Sequence, residues 1–137
     1  MQTVGIDIGT TTISGVVLEK NGTQKPRILK AKTIENGSFL TTTKDWERIQ
    51  DAEKIVKKSR QMLDDFLDKY PKVEKIGLTG QMHGIVYIDK EGKCVSPLYT
   101  WEDARGNLCE ENNGSLTEEI RQTCSVQVPS GYGMITH

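Results

Sequence analysis

A chain of 137 residues with a net charge of −1 is one domain by length, long enough to bury a hydrophobic core. Its 35% hydrophobic and 27% charged content is that of a globular protein, and no Lys/Arg cluster interleaved with aromatics points to nucleic acid. No apolar run reaches membrane-spanning length, and the N-terminus enters a strand directly, so neither a membrane partner nor a secretory signal is expected.

Residues 2–8 alternate apolar and small or polar side chains and predict a strand. A Gly-Thr turn follows, and residues 12–19 predict a second, antiparallel strand. Asn21-Gly22 turns the chain into a third strand over 28–34, which completes a three-stranded meander. Asp51 is suited to cap a helix that runs to about Tyr70 and stops at Pro71. Ile55, Met62, Leu63, Phe66, Leu67 and Tyr70 share one stripe of that helix and read as core. Lys54, Lys57, Lys58 and Arg60 alternate with carboxylates and read as its solvated face. Residues 73–79 predict a buried strand, interrupted by 80–84 and resumed over 85–88. Glu91-Gly92 reads as a turn, Val95 as the start of a short strand, and 106–114 as a polar loop. Residues 117–123 predict a short helix capped by Ser115, and the tail 129–137 carries no strong pattern. Strands, a helix and a further strand in this order predict a mixed sheet flanked by helices, an α/β architecture.

Cys94, Cys109 and Cys124 are odd in number and form no Cys-x-x-Cys pair, which fits a reduced, cytoplasmic setting. Asn21, Asn36 and Asn113 each open an Asn-Gly-Ser/Thr triplet. Without a secretory signal these read as turns rather than glycosylation acceptors.

Three segments carry candidate chemistry. In residues 5–12 (Gly-Ile-Asp-Ile-Gly-Thr-Thr-Thr), Asp7 ends an apolar strand and Gly9, Thr10, Thr11 and Thr12 crowd amides and hydroxyls into one turn. Such a turn can hold a phosphate and a hydrated metal ion, or it can be a plain hairpin with a satisfied Asp. Neither a Walker loop nor a dinucleotide fingerprint is present. Gln81, Met82 and His83 lie between two glycines, where the backbone can bend close to a ligand; His83 can equally be structural. Trp101 offers a face for the C–H side of a sugar. Asp103 and Arg105 can bind hydroxyls or lock each other in an ion pair.

Taken together, residues 5–12, 76–89 and 99–106 resemble, in order and spacing, the N-terminal domain of the FGGY family of carbohydrate kinases. Gln81-Met82-His83 and Ser130-Gly131-Tyr132-Gly133 are most similar to the sedoheptulokinase and xylulokinase branches. The resemblance implies a ribonuclease H-like, actin-like ATPase fold and transfer of the γ-phosphate of ATP, with Mg2+, to a hydroxyl of a ketose or polyol. It implies that Asp7 faces the metal and phosphates and that Gly9, Thr10, Thr11 and Thr12 form the first phosphate-contacting hairpin. It further implies that Gln81, Met82, His83, Trp101, Asp103 and Arg105 line the sugar pocket. No Asp here matches the family's acceptor base, which the resemblance places beyond His137, and the family's adenosine-binding domain would lie later still. The expectation is therefore the first part of a kinase N-terminal domain, inactive alone and prone to homodimerise through surface that the rest of the protein would cover. A non-catalytic sugar-binding regulator and an actin-like interaction module are the competing readings. The loops at 81–83 and 101–105 argue against the second of these.

Overall fold

The computed structural model describes residues 1–110 and 114–133. In chain order the elements are β1 (Gln2–Ile8), β2 (Thr12–Glu19), β3 (Arg27–Glu35), β4 (Ile49–Gln50), α1 (Ala52–Lys69), β5 (Val73–Gly80), β6 (Leu98–Tyr99), a 3-10 turn (Arg105–Asn107), β7 (Cys109–Glu110), β8 (Gly114–Ser115) and α2 (Leu116–Cys124). They form two compact units. The first comprises Met1–Gly37 and Glu53–Gln81, the second Ser38–Ala52 and Met82–His137.

The first unit is a four-stranded mixed sheet in the order β3-β2-β1-β5 with α1 on one face. The expected meander is present: β1, β2 and β3 pair antiparallel, with Asp7 opposite Ser14 and Ser14 opposite Thr33. The Asn21-Gly22 turn closes with the Gln24 amide donating to the Asn21 carbonyl at 3.1 Å, and Gly22 takes φ +56°. After α1 crosses over, β5 returns parallel to β1 and places Thr79 beside Asp7.

Period-2 alternation sends Val4, Ile6, Ile13 and Val17 to the helix face, where they meet Met62 and Phe66. Ile55 is also buried, while Leu63, Leu67 and Tyr70 are half-buried, so the predicted stripe is the inward face of α1. Gly15 sits under this contact. A Cβ there would overlap the Phe66 ring and lie 2.7 Å from the Met62 sulfur, so the close approach of helix to sheet needs glycine. Lys32 of β3 reaches Asp65 of α1 at 2.8 Å across the edge of the core. Pro71 cannot continue the α1 ladder, and the last backbone bond runs from the Tyr70 amide to the Phe66 carbonyl.

Strand β5 differs from its expected burial. It is the edge strand, and α1 packs over β1 and β2, so Ile76 and Leu78 remain exposed, Leu78 at 70%. The opposite face of the sheet is also open. Gly5, Ala31 and Gly77 floor a shallow depression of about 470 Å3 there, and Asp7 and Thr79 stand along it.

The second unit is built from short pieces. β4 pairs antiparallel with β6, and β7 with β8. Residues 85–88 do not form the expected strand. Ile85 exchanges backbone bonds with Tyr99 at 2.9 and 3.0 Å, but the Tyr87 amide donates to the Ser96 hydroxyl, which displaces a ladder bond. Val95 accordingly makes one backbone bond to Tyr87 instead of opening a strand. The expected loop over 106–114 contains the end of the 3-10 turn and the β7–β8 pair. The predicted turn at Asn113 lies outside the described residues. Ser115 caps α2 as expected, its hydroxyl accepting from the Glu118 amide at 3.3 Å. Cys94, Cys109 and Cys124 are free. No helix among the described residues is long and apolar enough to cross a membrane.

Gly15→Val should destabilise the chain by about 1–3 kcal/mol through overpacking, and Phe66→Ala by about 3–5 kcal/mol through loss of burial and a cavity. Urea unfolding measures both. A Gly15→Val chain as stable as the parent would contradict the packing of α1 described above.

Candidate functional site

The phosphate-type turn lies wholly in the first unit. Asp7 is exposed at the carboxyl end of β1, on the open face of the sheet. The Gly9 amide donates to the Thr12 carbonyl at 2.9 Å and closes the turn. A Cβ on Gly9 would come within 3.0 Å of that same carbonyl. Thr11 and Thr12 are exposed, so their hydroxyls are open to a ligand.

Asn36 fixes this turn from behind. It is fully buried, its amide donates to the Thr11 carbonyl at 2.8 Å, and its side-chain Nδ2 donates to the Gly9 carbonyl at 2.8 Å. Lys58 of α1 donates to the Asn36 carbonyl at 2.7 Å and to the Glu35 carbonyl at 2.9 Å. In the sequence Asn36 reads as a turn residue and Lys58 as part of a solvated face. Gly37 does take the positive φ, +56°, but the Asn36 side chain turns inward onto the hairpin. No local signal separates Asn36 from Asn21, since both open an Asn-Gly turn.

Gln81 joins the same unit. Its amide donates to the Ile8 carbonyl at 2.9 Å, and its Oε1 accepts from the Thr10 hydroxyl at 2.9 Å. The structure thus brings together Asp7, the turn at 9–12 and Gln81. Gly80 permits the contact, because a Cβ there would lie 2.9 Å from the Ile8 carbonyl.

The remaining candidates lie in the second unit. Met82 and His83 are exposed, and His83 takes φ +66°. Its imidazole stacks on Tyr132 with centroids 3.8 Å apart and planes within 10°. Trp101 is 47% exposed. Asp103 is only 2% exposed and receives four donors: the Arg48 and Arg105 amides at 3.0 and 3.1 Å, and Arg105 Nε and Nη2 at 2.7 and 3.1 Å. The Arg105 guanidinium also lies 4.0 Å over the Tyr99 ring and 3.5 Å from Glu47. Of this segment Trp101 is the exposed member, while Asp103 and Arg105 are more buried and bond each other.

Burial pushes the Asp103 carboxyl upward, but the hydrogen bonds from Arg105 and from the two amides outweigh it and hold the group below its ordinary 3.8. Arg105 is lowered by burial and raised by Asp103, with a net upward shift.

Among the described residues no cluster of three His, Cys, Asp or Glu could hold a metal ion. A single exposed carboxylate flanked by the hydroxyl-bearing Ser14 and Thr79 fits Mg2+, which keeps most of its waters and takes its other ligands from phosphate. Residues 9–12 contain no Lys or Arg, so a phosphate there would be held by amides and hydroxyls.

Two outcomes follow. Asn36→Ala should cost about 1–3 kcal/mol by leaving the Gly9 carbonyl unpaired, read by urea unfolding, and should speed amide exchange at Gly9. Because the Asp103 pKa is lowered in the folded chain, its contribution to stability is present above about pH 4 and is lost as pH falls through the folded pKa. Unfolding measured from pH 7 down to pH 2 should therefore show a pH slope that Asp103→Asn reduces, the remainder coming from Glu19, Asp65 and Glu118, whose carboxyls are also held low. An unchanged slope in Asp103→Asn would contradict this assignment.

The chain is 27% identical to the sedoheptulokinase of Mus musculus over 98% of its own length and 31% of that protein's. It is 31% identical to a xylulose kinase of Staphylococcus xylosus, over 74% of this chain and 20% of the relative. Its fold superposes on a crystal structure described as a xyloylose kinase from Brucella ovis with a TM-score of 0.72, at 22% identity, covering 96% of this chain and 27% of the other. The chain thus spans about a third or less of the proteins it matches, and the shared fold is the ribonuclease H-like, actin-like α/β fold. Residues 2–136 match the family described as "FGGY family of carbohydrate kinases, N-terminal domain", and the chain belongs to that family.

Proposed function

We propose that this chain is the sugar-side part of an ATP-dependent carbohydrate kinase. The protein that carries it would transfer the γ-phosphate of MgATP to a hydroxyl of a ketose or polyol of the xylulose or sedoheptulose type, in the cytoplasm. The observation that carries this reading is the turn at residues 9–12, closed on itself, clamped by the buried Asn36 and set directly after Asp7. Its weight comes from family membership, since a Gly-Thr turn after an acid is ambiguous alone.

Phosphoryl transfer depends on positioning and on stabilising charge spread over the phosphoryl oxygens. Gly9 and Thr10 would shape the turn, and the exposed Thr11 and Thr12 would position the phosphate end of the nucleotide through amides and hydroxyls. Asp7 would hold Mg2+, which supplies charge neutralisation when bound. A rigid turn matters here because preorganised donors need no reordering when charge develops. Gln81, bonded to Thr10, would tie the sugar loop to the phosphate turn. His83 and Trp101 are the exposed groups suited to a sugar: an imidazole for hydroxyls and an indole face for C–H bonds. Asp103 and Arg105 would act on the sugar through the loop that they brace. A base to accept the sugar proton and groups to clamp adenosine would be supplied by the larger protein that this reading requires.

The test is transfer of labelled γ-phosphate from MgATP to D-xylulose, sedoheptulose or glycerol. A protein carrying this chain with a nucleotide domain should phosphorylate at least one of them, and Asp7→Asn should lower kcat by on the order of 10²-fold. The 137 residues alone should give no turnover. Sugar-dependent turnover by the chain alone, surviving loss of Asp7, would overturn the assignment; binding of sugar with no transfer by the larger protein would favour a sugar-sensing role.

A further inference from the structure

Residue 83 is held in a conformation that a side chain with a Cβ rarely adopts. A positive φ of 66° at a non-glycine costs about 1–3 kcal/mol, so neighbouring contacts must hold it. Two such contacts come from one short segment. The Gly133 amide donates to the His83 carbonyl at 2.9 Å, and the Tyr132 ring lies flat against the imidazole at 3.8 Å.

The segment can come this close only because of its glycines. A Cβ on Gly133 would lie 2.7 Å from the Cβ and Cγ2 of Ile85 and 3.3 Å from the His83 carbonyl. A Cβ on Gly131 would overlap the backbone carbonyl of Trp101. Residues 131–133 are therefore wedged against both stretches that carry exposed sugar-type groups in this unit, one at His83 and one at Trp101. Ser130, at the head of the wedge, is 8% exposed.

We propose that Tyr132 is a positioning residue for His83: its ring fixes the plane of the imidazole, and the Gly-Tyr-Gly wedge holds the His83 and Trp101 backbones in place. Tyr132 covers one face of the imidazole. Because His83 is exposed, its ring edge stays open to hydroxyls. Fixing the plane removes a rotation that the imidazole would otherwise lose on binding, which favours affinity through preorganisation. The stack itself needs only an aromatic ring and not the phenol hydroxyl. This inference rests on the reading of His83 as a sugar-facing residue, and its test separates the two.

The chain has two histidines, so His83→Gln assigns the His83 imidazole signals in the proton NMR spectrum of the 137-residue chain. In the parent these signals should lie upfield of the free imidazole position because of the Tyr132 ring. Tyr132→Phe should keep that displacement and Tyr132→Leu should abolish it, with urea unfolding confirming that both variants fold. Titration with D-xylulose and with sedoheptulose then reads the consequence. Tyr132→Leu should weaken binding about tenfold, within the range of coupling between contacting residues. The double variant His83→Ala/Tyr132→Leu should bind no worse than His83→Ala alone. An imidazole signal unmoved in Tyr132→Leu would overturn the proposed stack, as would a Tyr132→Phe spectrum like that of Tyr132→Leu. Additive losses in the double variant would overturn action through His83. A displaced imidazole signal with no response to either sugar in the parent would leave the stack standing and refute the sugar-facing reading of His83.

Discussion

The buried side chain of Asn36 is the constraint on which the phosphate-type turn depends. Three bonds define that turn: Gly9 amide to Thr12 carbonyl, Asn36 amide to Thr11 carbonyl, and Asn36 Nδ2 to Gly9 carbonyl. The first alone makes an ordinary hairpin. The other two tie it to the end of β3, and Lys58 ties the end of β3 to α1. The turn therefore inherits the rigidity of the sheet and helix. The Asn36 side chain thereby fixes the position of the Gly9 carbonyl, and with it of the amides and hydroxyls that follow.

Asp103 does comparable work in the second unit, where the buried set is strongly polar: Ser38, Gln50, Thr100, Asp103 and Ser130. With four donors on one carboxylate and a guanidinium stacked on Tyr99, the Asp103–Arg105 pair organises the loop after β6. A buried ion pair of this kind contributes geometry more dependably than net stability, because desolvation offsets much of its attraction. Here the geometry is that of the loop bearing Trp101.

What the sequence reveals follows from whether the determining contact is local. Strands β1 and β2, the meander, the inward stripe of α1 and the Ser115 cap are written in periodicity and in capping chemistry, and they fold as read. The exposure of β5 is not legible, because a run such as Ile76-Gly77-Leu78 looks the same at an edge as in a sheet interior. The segment over 85–88 reads as a strand by composition, yet the Ser96 hydroxyl takes the bond a strand would have made. The candidate site divides in the same way. Asp7, residues 9–12, His83 and Trp101 stand out by residue type and spacing. Asn36, Lys58 and Tyr132 do not, because each acts through a partner more than twenty residues away.

Native-state hydrogen exchange at the Asn36 amide tests the central claim most directly. If the turn at residues 9–12 is locked to the sheet through Asn36, that amide should exchange only with global opening, at the rate of the Val4 and Val17 amides in the core strands. Exchange as fast as that of the amide at Gly22, in the open β2–β3 turn, would show that the turn flexes independently and would contradict the account.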